Sequence, residues 1–180
     1  MIRRVIFLAL SALLLLPVSV LAEDEREVVS SLWGIDLLGR TPHYLDIGVG
    51  VFDVFKRDYT SRRSASGRVE LRVGEKLYGI GPAIGLMANT DGGVNGYGAI
   101  YADLAYGQVI ATPFAGLGGY VKGDSSDLGG TFQFRIGSSV AYQFENKLRL
   151  GVRVAHISNA GIHNDNPGEE EIYLTVALPF

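Results

Sequence analysis

Apolar residues recur at every second position through most of the chain beyond residue 43. The clearest runs are Val69/Leu71/Val73, Ile100/Ala102/Leu104/Tyr106 and Phe132/Phe134/Ile136. Two more close the chain, Leu148/Leu150/Val152/Val154 and Ile172/Leu174/Val176/Leu178/Phe180. The positions between them hold Arg68, Glu70, Arg72, Gln133, Arg135, Arg149 and Arg153. A period of two is that of a strand whose side chains alternate between faces. The pattern predicts eight strands, near 44–54, 65–73, 77–88, 96–106, 109–121, 130–144, 147–158 and 170–180. One aliphatic face and one charged face suit either a half-buried soluble sheet or a membrane barrel.

The connections favour the barrel. Gly74-Glu75-Lys76, Gly107-Gln108 and Glu145-Asn146-Lys147 read as short turns, whereas 55–64, 89–95, 122–129 and 159–169 read as longer polar loops. Short and long connections alternate strictly along the chain, as in bacterial outer-membrane barrels with short periplasmic turns and longer outer loops. The expected fold is therefore all-β: an eight-stranded antiparallel transmembrane β-barrel over residues 43–180, its narrow interior filled by side chains. A closed barrel satisfies every backbone polar group in lipid. The terminal apolar strand ending at Phe180 resembles the signal read by outer-membrane assembly machinery.

Residues 1–22 read as a secretory signal peptide. Arg3 and Arg4 open it, Val5 to Leu16 form its apolar run, and cleavage is expected after Ala22. That run is short for a bilayer anchor, and no later stretch is long and apolar enough for a membrane helix. Residues 23–42 fit neither leader nor barrel. They read as a short amphipathic helix or a loose arm on the periplasmic side.

Composition narrows the function classes. The chain has 180 residues, 24 of them Gly, about twice the usual share, which disfavours a helical globule. It has no Cys, so disulfide scaffolds and cysteine-ligated metals are excluded. The net charge is −3, becoming −5 once the leader removes two Arg and no acid, so nucleic acid is not an expected partner.

The last hairpin carries the candidate chemistry. His156 and Ser158 continue the apolar face of the seventh strand, and Glu170 continues that of the eighth. By parity all three point outward, toward lipid, where polar groups are costly and call for a functional explanation. Residues two apart on one face of a strand are separated by roughly 6–7 Å, and adjacent strands by about 4.8 Å. A Ser, a His and a Glu so placed have the roles of a hydrolytic triad: nucleophile, base, and the acid that fixes the base's tautomer. Asn159 or nearby backbone N–H groups would then stabilise an oxyanion. A bland reading stands beside this one, with His and Glu at a barrel rim meeting only headgroups and water.

His156-x-Ser158-Asn159-Ala160-Gly161, followed by Asn166, Gly168 and Glu170, resembles the active-site hairpin of the lipid A 3-O-deacylases, the PagL family. The resemblance implies an outer-membrane enzyme that removes the ester-linked acyl chain at position 3 of lipid A in lipopolysaccharide. It implies Ser158 as nucleophile, His156 as general base and acid, Glu170 as the partner that orients His156, and Asn159 as an oxyanion or substrate-orienting residue. The site would face the outer leaflet of a Gram-negative outer membrane. No cofactor or metal is required by that scheme. A homodimer is compatible with the sequence and not demanded by it. The competing functions are a non-enzymatic structural or adhesion barrel and a lipid acyltransferase, the latter disfavoured because the candidate triad faces outward.

Other features are weaker. Lys56-Arg57 and Arg62-Arg63 lie in the first long loop, where they would hold phosphates or simply be solvated. Asp91, Asp124 and Asp127 offer oxygens to a calcium ion but lack an EF-hand register. His163 reads as an exposed loop residue, and His43 carries no signal.

Overall fold

The computed structural model describes residues 27–55 and 63–180. The leader expected at 1–22 lies outside these residues, as do Lys56, Arg57 and Arg62. Ten strands follow in order: β1 (Val28–Leu32), β2 (Ile35–Leu38), β3 (Tyr44–Phe52), β4 (Ser64–Arg72), β5 (Ile80–Asn89), β6 (Val94–Tyr106), β7 (Val109–Val121), β8 (Phe132–Gln143), β9 (Arg149–Ser158) and β10 (Glu169–Pro179). Strands β3 to β10 are antiparallel neighbours in chain order. The barrel closes where β10 pairs with β3, from Ile172 opposite Val51 to Pro179 opposite Tyr44. The eight strands expected from the alternation are those observed, with ends shifted by up to three residues.

Charge placement follows the alternation. Arg68, Arg72, Arg135, Arg149 and Arg153 are buried inside the barrel with Asp46, Glu70, Asp103 and Glu171. Arg153 grips Glu70 through its two terminal guanidinium nitrogens at 3.0 Å each, and Tyr97 donates to the same carboxylate at 2.8 Å. Arg72 bridges Glu70 and Asp46, and Arg68 also pairs with Asp46. Nearer the short-turn end, Asp103 accepts from Lys76 at 2.8 Å and Arg149 at 3.0 Å. Toward the long-loop end, Arg135 pairs with Glu171 and donates to Asn95 at 2.8 Å. Buried charges are tolerated only when paired in this way. Glycine supplies the space: a Cβ on Gly85 would lie 2.3 Å from the Tyr97 ring. Apolar clusters cap this polar shaft at both ends. Leu38, Ala105 and Ile110 lie at one end; Phe52, Met87, Tyr120, Leu128, Ile157 and Tyr173 lie at the other.

Two expectations are corrected. Loop lengths do not alternate strictly. The connection at 90–93 is tight, because Asn89 closes it by accepting N–H bonds from Asp91 and Gly93. The connection at 73–79, on the opposite end, is longer. It packs on the chain entering β3, where Thr41 donates to the Gly74 carbonyl at 3.1 Å.

Residues 28–38 are neither a helix nor a loose arm but a β-hairpin. The reason lies in β6, which runs past the start of β5, at Ile80 opposite Ala102. Asp103 to Ala105 would otherwise lack partners on that side, and β2 supplies them, Leu38 opposite Asp103 and Asp36 opposite Ala105. Trp33 and Gly34 make the turn with φ of 54° and 80°, the positive pair of a two-residue hairpin.

Candidate active site

β9 and β10 set the site by register. His156 lies directly opposite Glu170, and His156 Nδ1 meets Glu170 Oε1 at 3.2 Å. Of three consecutive acids only Glu170 faces this way. Glu169 and Glu171 are fully buried inside, where Glu169 accepts the Asp53 N–H at 3.0 Å and Glu171 pairs with Arg135. Ser158 stands on the same outer face as His156, two residues on and opposite Phe134. Among the described residues no hydrogen bond joins Ser158 to His156. The two side chains share one face of one strand, a separation their rotamers can close.

The imidazole is held on a second side by Gly168. This residue has φ +62°, and a Cβ there would lie 2.9 Å from His156 Cε1 and 3.4 Å from Nε2. Any larger residue would push the ring. Gly168 was part of the motif but not among the candidate site residues. Its signal was the turn Asn166-Pro167-Gly168 placed two residues before the acid.

Asn159 takes a different position from the one expected. It is fully buried, and its Nδ2 donates to the carbonyls of Leu128 (2.9 Å) and Asp165 (2.7 Å). Both amide hydrogens are thus committed, and Oδ1 accepts from the Gly161 N–H at 3.0 Å. The side chain braces two loops and has no hydrogen left for an oxyanion. Its backbone N–H donates to Asn166 Oδ1 at 3.0 Å, which holds the Asn166 amide against the Ser158–Asn159 peptide. Ala160 follows with φ +54°, and among the described residues its N–H has no partner.

Loops 122–131 and 159–168 interlock over the barrel end. A Cβ on Gly130 would lie 2.1 Å from the His163 ring, so only glycine admits that ring. His163 is therefore half-buried against a neighbouring loop rather than exposed. Asp127 is paired with Lys122 at 2.6 Å, which holds its carboxyl below the usual carboxylate range. Asp124 donates its N–H to the Asp91 carbonyl at 2.8 Å. Among the described residues no three metal-ligating side chains converge.

An apolar groove of about 550 Å³ runs from His156 and Glu170 along the outer wall. Val154, Ile172 and Ile136 line the wall, and Val54 and Phe55 close one side. Phe55 is placed by the closure of the barrel: the Val54 N–H donates to the Glu170 carbonyl at 2.9 Å, extending the β3–β10 pairing. Asp53 anchors the same corner through its N–H to Glu169 and by accepting from Ser126 Oγ at 2.6 Å. The first and last strands of the closed barrel, β3 and β10, meet here, and no local pattern announces it.

The architecture has a solved counterpart. A crystal structure of the outer membrane enzyme PagL superposes with a TM-score of 0.54 at 18% sequence identity, covering 76% of this chain and 99% of that one. No curated protein sequence matches the chain significantly. The family described as lipid A 3-O-deacylase (PagL) matches residues 61–179. That match takes in β4 to β10 and the whole His156–Glu170 hairpin, and the chain belongs to the lipid A 3-O-deacylase family of outer-membrane β-barrel hydrolases.

Proposed function

We propose that this protein hydrolyses the ester-linked 3-O-acyl chain of lipid A through Ser158, His156 and Glu170, at the outer leaflet of a Gram-negative outer membrane. The observation that carries this reading is the 3.2 Å contact between His156 and Glu170 on the lipid-facing wall, beside Ser158 and above an apolar groove. With Nδ1–H donated to the carboxylate, Nε2 keeps its lone pair for the serine proton. Ser158 Oγ attacks the ester carbonyl as His156 takes that proton. The tetrahedral oxyanion collapses, and His156 returns the proton to the departing sugar oxygen. Water, activated by the same imidazole, then releases the fatty acid and frees Ser158.

Asn159 supports this site indirectly, by tying the turn after Ser158 to Leu128 and Asp165. The donors available for the oxyanion are the Ala160 N–H and Asn166 Nδ2, since Asn166 is anchored through its Oδ1. The acyl chain lies in the groove along Val154 and Ile172, with Phe55 against its side.

A serine-directed fluorophosphonate tests the nucleophile. The expected result is a single adduct on Ser158 that disappears in His156→Ala with the barrel intact. Labelling of another serine, or labelling that does not need His156, would contradict the assignment.

A further inference from the structure

The β1–β2 hairpin is used by none of the chemistry above. It lies outside the closed ring of β3 to β10 and joins it only through the pairing of β2 with β6. Its outward face continues the lipid-facing wall: Leu37 lies opposite Leu104, and the next outward pair brings Ile35 to the level of Tyr106. Gly34 confirms that level, since a Cβ on it would lie 3.4 Å from the Tyr106 ring. The tip carries Leu32 and Trp33, exposed at 63% and 90%, and Val28 to Ile35 contains no charged residue. Such a surface is costly in water.

The backbone sets the opposite limit. β1 is the end strand of the sheet, so among the described residues its outer edge pairs with no other strand. An open edge cannot lie in hydrocarbon, where its N–H and C=O groups have no partners. An apolar face that seeks lipid and an open edge that needs water meet both demands at one depth. There the amphipathic rings of Trp and Tyr also settle.

We propose that the β1–β2 hairpin is a lipid-binding foot, seated in the phospholipid headgroup zone of the leaflet at the short-turn end, with Trp33 as its anchor. It extends the barrel's lipid contact beyond the eight strands and fixes its height at that face.

Trp33 is the only tryptophan of the chain, so its fluorescence reports the tip alone. The full protein is reconstituted in phosphatidylcholine vesicles whose acyl chains carry bromine either near the headgroup or near the chain end. The expected result is blue-shifted emission relative to the unfolded chain, weak iodide quenching, and severalfold stronger quenching by the shallow bromines. In Leu32→Asp/Ile35→Asp that bromolipid quenching is lost while the barrel stays folded. Emission as red as the unfolded chain, open to iodide and indifferent to bromolipid, would overturn the proposal and leave the tip to a soluble partner. Stronger quenching by the deep bromines would overturn it too, by placing the open edge in hydrocarbon.

Discussion

Glu169, Glu170 and Glu171 are chemically alike, and a strand separates them into different jobs. Glu170 reaches His156 on the outside, whereas Glu171 neutralises Arg135 within the barrel. Substitution therefore has opposite consequences at adjacent positions. Glu170→Gln should lower kcat for deacylation by about a hundredfold or more, with thermal unfolding in detergent little changed. Glu171→Gln leaves the buried Arg135 charge unpaired and should destabilise the barrel by about 3–5 kcal/mol. Parallel rate and unfolding measurements check the pair, and equal losses of activity and stability at both positions would contradict the separation. Parity and the motif both single out Glu170 in the sequence, and the physical reason is that a period of two sends neighbours to opposite faces. The same parity turns Asn159 inward once Ser158 is outward. Its burial was thus legible, but its partners were not. The Leu128 carbonyl lies 31 positions away, on a loop that only the folded barrel brings alongside.

At the level of elements, the strands carried their own signal and the junctions did not. Leu148 to Val154 alternate because lipid lies on one side and Asp103 and Glu70 on the other. Val28-Val29-Ser30-Ser31-Leu32 has no such alternation, since all five residues of β1 are exposed. Its strand state comes from β2, and that of β2 from the unpaired end of β6, a demand written more than sixty residues away. Phe55 was equally hidden, read as the start of a loop. Barrel closure makes it a wall of the groove, and acyl-chain recognition should depend on it. Phe55→Ala should raise KM for lipid A with little change in kcat, lowering kcat/KM by about tenfold, the scale of one large side chain lost from an apolar contact. Steady-state kinetics in mixed micelles with substrates of differing 3-O-acyl length measure this. A lowered kcat at constant KM would instead assign Phe55 to the reacting centre.

For the molecule as a whole, the proposed activity needs the long-loop end to face outward. The chain contains no cysteine, so single introduced thiols report orientation without background. Asn164→Cys, in the loop beyond Ser158, should react with a membrane-impermeant maleimide in intact cells. Asn146→Cys, in the turn between β8 and β9, should react only after the outer membrane is opened. The reverse pattern would place His156 and Glu170 on the wrong face for lipid A. The shape behind this arrangement, a polar shaft sealed by apolar caps, follows from inward Arg residues that could be read directly. Their pairing could not, because Arg153 and Glu70 meet across 83 positions of sequence. The most direct test of the central claim is mass spectrometry of lipid A from outer membranes carrying the parent protein or Ser158→Ala, both confirmed folded. Loss of one 3-O-linked hydroxyacyl chain with the parent alone is the predicted result. Equal deacylation by Ser158→Ala, or unchanged lipid A with the parent, would contradict it.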